Sequence, residues 1–87
     1  MSVYTVKFTP TAAQSIKRLP PDIKRRVKYK LEWLAEQIDI IRPVPLRGKF
    51  KGLYKLRVGN YRIIYEIDRE EFLIIVHLVG HRREIYK

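Results

Sequence analysis

The chain has 87 residues, enough for one domain (1–87) and too short for a second core or an inserted cofactor domain. Lys plus Arg number 19 against 9 Asp plus Glu, a formal charge of +10, and both halves share it: 9 basic against 4 acidic residues in 1–42, then 10 against 5 in 43–87. A surface so biased favours polyanions, nucleic acid foremost, while 46% hydrophobic content excludes disorder and the absence of cysteine excludes a disulfide scaffold, a thiolate metal site and a thiol nucleophile.

Val3 to Phe8 alternates, with Tyr4, Val6 and Phe8 on one face, and predicts a half-buried strand. Thr9-Pro10 ends it, an N-cap followed by a first helical residue. Ala12, Ala13, Ile16 and Leu19 then recur at helical spacing in a short helix. Pro20-Pro21-Asp22 stops that helix and starts another, whose stripe is Ile23, Val27, Leu31, Leu34 and Ile38, with Lys24, Arg25, Lys28 and Glu32 opposite. Trp33 falls at the margin of the stripe, at a helix–sheet edge. Residues 39–52, with Pro43, Pro45, Gly48 and Gly52, predict a connecting loop made basic by Arg42, Arg47, Lys49 and Lys51.

The second half reads as strand. Leu53 to Val58 and Tyr61 to Ile67 alternate about Gly59-Asn60, a two-residue hairpin signal. Asp68 to Glu71 is a polar turn. Phe72 to Val79 is apolar on both faces and predicts a central strand, with Gly80 ending it and a charged tail, His81 to Lys87, following. The expected fold is α+β: an N-terminal strand, a two-helix hairpin and three antiparallel strands, forming one antiparallel sheet with the helices on one face. No apolar run approaches the ~18 residues of a membrane span, and no signal-peptide pattern opens the chain, so the expected address is the cytoplasm.

The hairpin fixes a register. Val58 faces Tyr61, Leu56 faces Ile63 and Tyr54 faces Tyr65 on a core face, while Arg57 faces Arg62 and Lys55 faces Ile64 on the other. Like charges directly opposed in a sheet cost about 0.2–1 kcal/mol, and only Glu66 stands nearby to compensate. A sequence selected for folding alone has easy alternatives at these positions. The functional reading is a pre-formed anion pocket; the other is a solvated sheet face. In the tail, His81 is a candidate general base or phosphate contact, and Tyr86 a base-stacking ring or acid–base hydroxyl. His77, inside the apolar run, is expected to be a buried, hydrogen-bonded core residue. Two histidines without cysteine give no metal-ligand set, and no nucleotide-phosphate loop or nucleophile elbow is present, so no cofactor is expected.

Three segments together carry a resemblance. Leu46-Arg47-Gly48, the run Gly52-Leu53-Tyr54-Lys55-Leu56-Arg57-Val58-Gly59-Asn60-Tyr61-Arg62-Ile63-Ile64-Tyr65, and Val79-Gly80-His81-Arg82-Arg83-Glu84-Ile85-Tyr86 resemble the RelE/ParE toxin superfamily of prokaryotic toxin–antitoxin modules, closest to its RelE branch. The resemblance spans essentially the whole chain. It implies a ribosome-dependent endoribonuclease that cuts mRNA in the A site, and a cognate antitoxin that wraps and blocks it in a hetero-oligomer. It implies that Lys55 and Arg57 are the basic pair of the first hairpin strand, Arg57 standing where the family often has lysine. It also implies that Arg62 binds phosphate, that Arg82 is the arginine after the last strand and that Tyr86 stacks on a base. His81 replaces a lysine. Arg47, Lys49, Lys51 and Arg83 are expected to touch RNA.

Cleavage by the RNA's own 2′-hydroxyl needs a group to take its proton, positive charge on the phosphorane and a proton for the leaving oxygen. Guanidinium and ammonium groups supply the second, usually the largest contribution. Arginine is no base near neutral pH, so Lys55 is the candidate and His81 its rival. A site built of cations cannot orient free RNA, and a ribosome would. The alternatives are a ParE-like toxin that poisons DNA gyrase on the same fold, and a non-catalytic RNA-binding module.

Overall fold

Thr9 caps the first helix as its sequence predicts: its Oγ1 accepts the N–H of Ala12 at 3.1 Å, with Pro10 next in line. The structure, a computed structural model, describes residues 3–86; Met1, Ser2 and the last residue of the tail, Lys87, lie outside them. In chain order the elements are β1 (Thr5–Phe8), α1 (Pro10–Lys17), α2 (Pro21–Gln37), β2 (Val44–Pro45), β3 (Tyr54–Val58), β4 (Tyr61–Asp68), β5 (Leu73–His81) and α3 (Arg82–Ile85). Gly48–Phe50 forms one 3-10 turn before β3.

The helical stripe behaves as its period requires. Ile23, Val27, Leu31, Leu34 and Ile38 are all buried, and they meet Val58, Ile63, Tyr65, Ile74, Val76 and Val79 of the sheet in one core. Ser15 ties α1 to that sheet, its Oγ accepting the N–H of Val79 at 3.1 Å and donating to the Ala12 carbonyl at 2.9 Å. Burial of the Tyr65 ring pushes its phenol up from 10.0 to about 12, with Tyr54 adding and Arg69 opposing.

The five strands lie in the order β1-β5-β4-β3-β2. The β3–β4 register is the one the Gly-Asn turn predicts, with Arg57 opposite Arg62, Lys55 opposite Ile64 and Tyr54 opposite Tyr65. Gly59 has φ +59°, the left-handed conformation that the first loop position of a primed hairpin turn needs. The α+β class holds, and β5 is an interior strand, flanked by β1 and β4, while β4 takes the middle of the sheet. The sheet is mixed rather than wholly antiparallel, because β1 pairs in parallel with β5, Val6 beside Ile74 and Phe8 beside Val76. That placement sets Val6 against the core face. It also delivers Thr9 to the β5 backbone, where its N–H donates to the Val76 carbonyl at 3.0 Å. Phe8 stays 47% exposed, because β1 is the edge strand.

Two further expectations are corrected near the end of the chain. Gly80 does not end the last strand, which runs on to His81, and the tail turns into α3. A Cβ at Gly80 would lie 3.3 Å from Ile85 Cγ1, a tight contact, so the missing side chain leaves room for α3 to pack closely against β5. Gly80 pairs with Arg62, so α3 covers the sheet face away from α1 and α2. His77 is not a core residue. A register shift between Ile64 and Tyr65 marks a bulge in the β4–β5 ladder, and the His77 side chain is 34% exposed with its Nε2 2.9 Å from Glu66 Oε1. The hydrogen bond expected of it is present. No helix among the described residues is long and apolar enough to cross a membrane.

Candidate functional site

The site grows from the tightest turn in the sheet. A two-residue loop leaves Arg57 and Arg62 no choice but to face each other. Arg62 Nη1 donates to the carbonyls of Gly59 (3.0 Å) and Tyr61 (2.9 Å), so the turn itself aims the guanidinium. Arg57 is exposed beside it. Lys55, two residues back on the same face of β3, is half-buried, and its Nζ lies 5.9 Å from the centre of the Tyr86 ring. Lys55, Arg57 and Arg62 line one open hollow of about 630 Å³, with Val44 and Lys30 at its rim.

Among the described residues no carboxylate is paired with these cations. Glu66 is engaged by His77 and Asp39 by Arg69. The charge is therefore available to a ligand, and its cost is borne by the fold. Chemically, two planar forks and one ammonium around a hollow can hold a phosphodiester at several oxygens at once and stabilise added negative charge on it.

The remaining sequence candidates are distributed unevenly. Tyr86 follows α3, 49% exposed, and joins the hollow through Lys55. Arg82 opens α3 with its side chain exposed, while its N–H donates to the Asn60 carbonyl at 2.8 Å and pins α3 to the hairpin turn. His81 is not brought together with Lys55, Arg57 and Arg62. It pairs with Tyr61, the two rings edge to face at 5.4 Å, and its Nδ1 accepts the N–H of Arg83 at 3.2 Å as the cap of α3. Arg83 is exposed on that helix. Arg47, Lys49 and Lys51 flank or form the 3-10 turn, exposed, with Lys49 Nζ 5.1 Å from the Phe50 ring centre. None of the three lines the hollow.

Two cations of α2 escaped the sequence reading. Lys30 borders the hollow, and Arg26 reaches the hairpin turn, its Nη2 only 2.9 Å from where a Gly59 Cβ would stand. The available signal was their spacing of one helical turn on the margin of the apolar stripe, but nothing local says that this margin overlooks β3. Among the described residues no group of three or more His, Cys, Asp or Glu side chains gathers into a metal-binding set.

Known proteins share this fold. The family model described as the ParE toxin of type II toxin–antitoxin system, parDE, matches residues 6–86. The toxin RelG of Mycobacterium tuberculosis is 35% identical, over 97% of this chain and 97% of its own length. The toxin RelE3 of Methanocaldococcus jannaschii is 34% identical, over 93% of each. Among solved structures, the toxin–antitoxin complex RelBE2 of Mycobacterium tuberculosis superimposes with a TM-score of 0.78 at 35% identity, covering 91% of this chain and 98% of that one. The isolated Escherichia coli RelE toxin gives 0.76 at 27% identity, over 97% and 92%. A family match across nearly the whole chain, on relatives named RelE and RelG, places it in the RelE/ParE superfamily of type II toxin–antitoxin toxins, on the RelE branch.

Proposed function

We propose that this toxin is a ribosome-dependent endoribonuclease that cuts mRNA in the A site and is held in check by a cognate antitoxin. The observation that carries the reading is the pairing of Arg57 with Arg62 in one hollow with Lys55, unneutralised among the described residues. Relatives solved as toxin–antitoxin complexes support the partner.

The 2′-oxygen of the nucleotide before the cut attacks the phosphorus. The P–O2′ bond forms, the P–O5′ bond breaks, and the products are a 2′,3′-cyclic phosphate and a 5′-hydroxyl. Arg57 and Arg62 hold the non-bridging oxygens and stabilise the charge of the phosphorane. Lys55, acting in its neutral amine form, takes the 2′-hydroxyl proton and becomes an ammonium, and the departing 5′-oxygen is protonated from solvent. Tyr86, beside Lys55, stacks on a base and fixes the strand. His81 shapes α3 through its cap to Arg83 rather than carrying the proton. Without a ribosome to orient the strand, cations alone give little rate.

The test adds purified protein to a translating extract, maps the mRNA ends, and runs a gyrase supercoiling assay beside it. Cuts in translated message with gyrase untouched are expected. Gyrase poisoning with intact message establishes the second reading instead, which the ParE description of the matched family model favours. RNA binding that Arg62→Ala weakens, with no cleavage by either form, establishes a non-catalytic module.

A further inference from the structure

The hollow does not end at the β3 edge. A second depression of about 430 Å³ continues from it onto α2, lined by Arg26, Tyr29, Lys30, Trp33 and Gly59, and sharing Arg57. Its four helical members are spaced i, i+3, i+4 and i+7, which places them on one exposed stripe. Both rings are open to solvent, Tyr29 67% and Trp33 41% exposed. Large aromatics on a surface helix forgo burial that the core could give them. Lys30 Nζ lies over the Trp33 ring, 4.1 Å from its centre, so the cation takes one face of the ring and a base would stack on the other.

We propose that this stripe holds the single-stranded message flanking the scissile phosphate: Tyr29 and Trp33 stack on unpaired bases, while Arg26 and Lys30 follow the backbone away from Arg57. Alternating rings and cations along a groove are what a single strand of RNA requires, since every base has a flat face and every link a charge. Two observations select the message rather than another partner. The depression shares Lys30, Arg57 and Gly59 with the hollow around Lys55 and Arg62, so a strand seated there runs onto the stripe without a gap. Its charged lining is wholly basic. The inference rests on the endoribonuclease reading for its location, but its binding arm can be read without any cleavage.

Trp33 is the only tryptophan, so its emission reports the stripe directly. A short single-stranded oligoadenylate titrated into the whole chain should quench that emission saturably, with half-saturation rising with salt. On ribosomes programmed with a defined message, Tyr29→Ala with Trp33→Ala should lower kcat/KM about ten-fold or more and leave kcat within about two-fold, the signature of lost strand binding. Both residues are exposed on a helix that accepts alanine well, and an unchanged circular dichroism melt checks the fold. Binding of a labelled oligonucleotide with no change in Trp33 emission overturns the proposal, as does a double variant with wild-type kcat/KM. A double variant that loses affinity for ribosomes carrying no message assigns the stripe to ribosomal RNA and equally overturns it. Saturable quenching by a chain that never cuts message leaves the stripe's grip on RNA standing and removes the endoribonuclease reading instead.

Discussion

Arg62 Nη1 donates to the Gly59 carbonyl at 3.0 Å, so the side chain offered to a phosphate is aimed by the loop it flanks. The same turn receives the Arg82 N–H through the Asn60 carbonyl, which makes two residues the hub of β3, β4 and α3. Few turns join so much of a site, and the consequences can be measured.

Expression of the chain alone should arrest growth, and Arg62→Ala combined with Arg82→Ala should relieve the arrest. In a cleavage assay Arg62→Ala should cost about 10²–10³ in rate, the usual loss for one removed donor to transition-state charge. Arg62 is half-exposed and Arg82 exposed, so circular dichroism should show the fold intact. Full toxicity in the folded double variant would take both residues out of the site.

Arg57 and Arg62 repel each other across the ladder, and that strain should be recoverable. Arg57→Thr should raise stability by about 0.2–1 kcal/mol, read as a higher urea midpoint at unchanged slope. The same substitution should lower cleavage. An unchanged or lower midpoint would show that the fold bears no cost for the pair.

Tyr86 can act through its ring or its hydroxyl. With the ring 49% exposed and Lys55 Nζ 5.9 Å from its centre, stacking is the expected role. Tyr86→Phe should therefore keep most of the cleavage rate, and Tyr86→Ala should lose about ten-fold or more. Equal losses in the two variants would move the role to the hydroxyl.

Tyr65 sets an alkaline limit on the fold. Its phenol is raised from 10.0 to about 12 by burial, so the unfolded chain releases that proton first as pH rises. The contribution of the neutral phenol is full below pH 10 and is lost as pH climbs towards 12, with a limiting slope of about 1.4 kcal/mol per pH unit. Tyr65→Phe has no proton to lose. Its stability relative to the parent should be constant below pH 10 and should improve above it, which urea melts across that range can check.

Local pattern carried most of the architecture. The α2 stripe and the β3–β4 register follow from period and turn chemistry, which act between near neighbours, and both stand as read. The cationic trio was legible for the same reason: a two-residue loop determines which side chains share a face. The direction of β1 was not, because Val6 and Ile74 carry no mark of each other. Gly80 was misread as a stop because a strand glycine and a terminator look alike until Ile85 is seen against it. His81 looked catalytic from its place in the tail, yet only the ladder shows that it pairs with Tyr61 and caps α3. Arg26 and Lys30 depended on how α2 crosses β3, a relation between distant segments that no window of sequence contains.

The parallel seam between β1 and β5 has a bearing on synthesis. Residues 5–8 find their partners only at 73–76, so the first strand made waits for nearly the last. A growing chain can assemble α1 and α2 early, but the sheet cannot close around its centre until β5 has emerged. The Tyr86 ring, which stands beside Lys55 at the cationic hollow, follows later still.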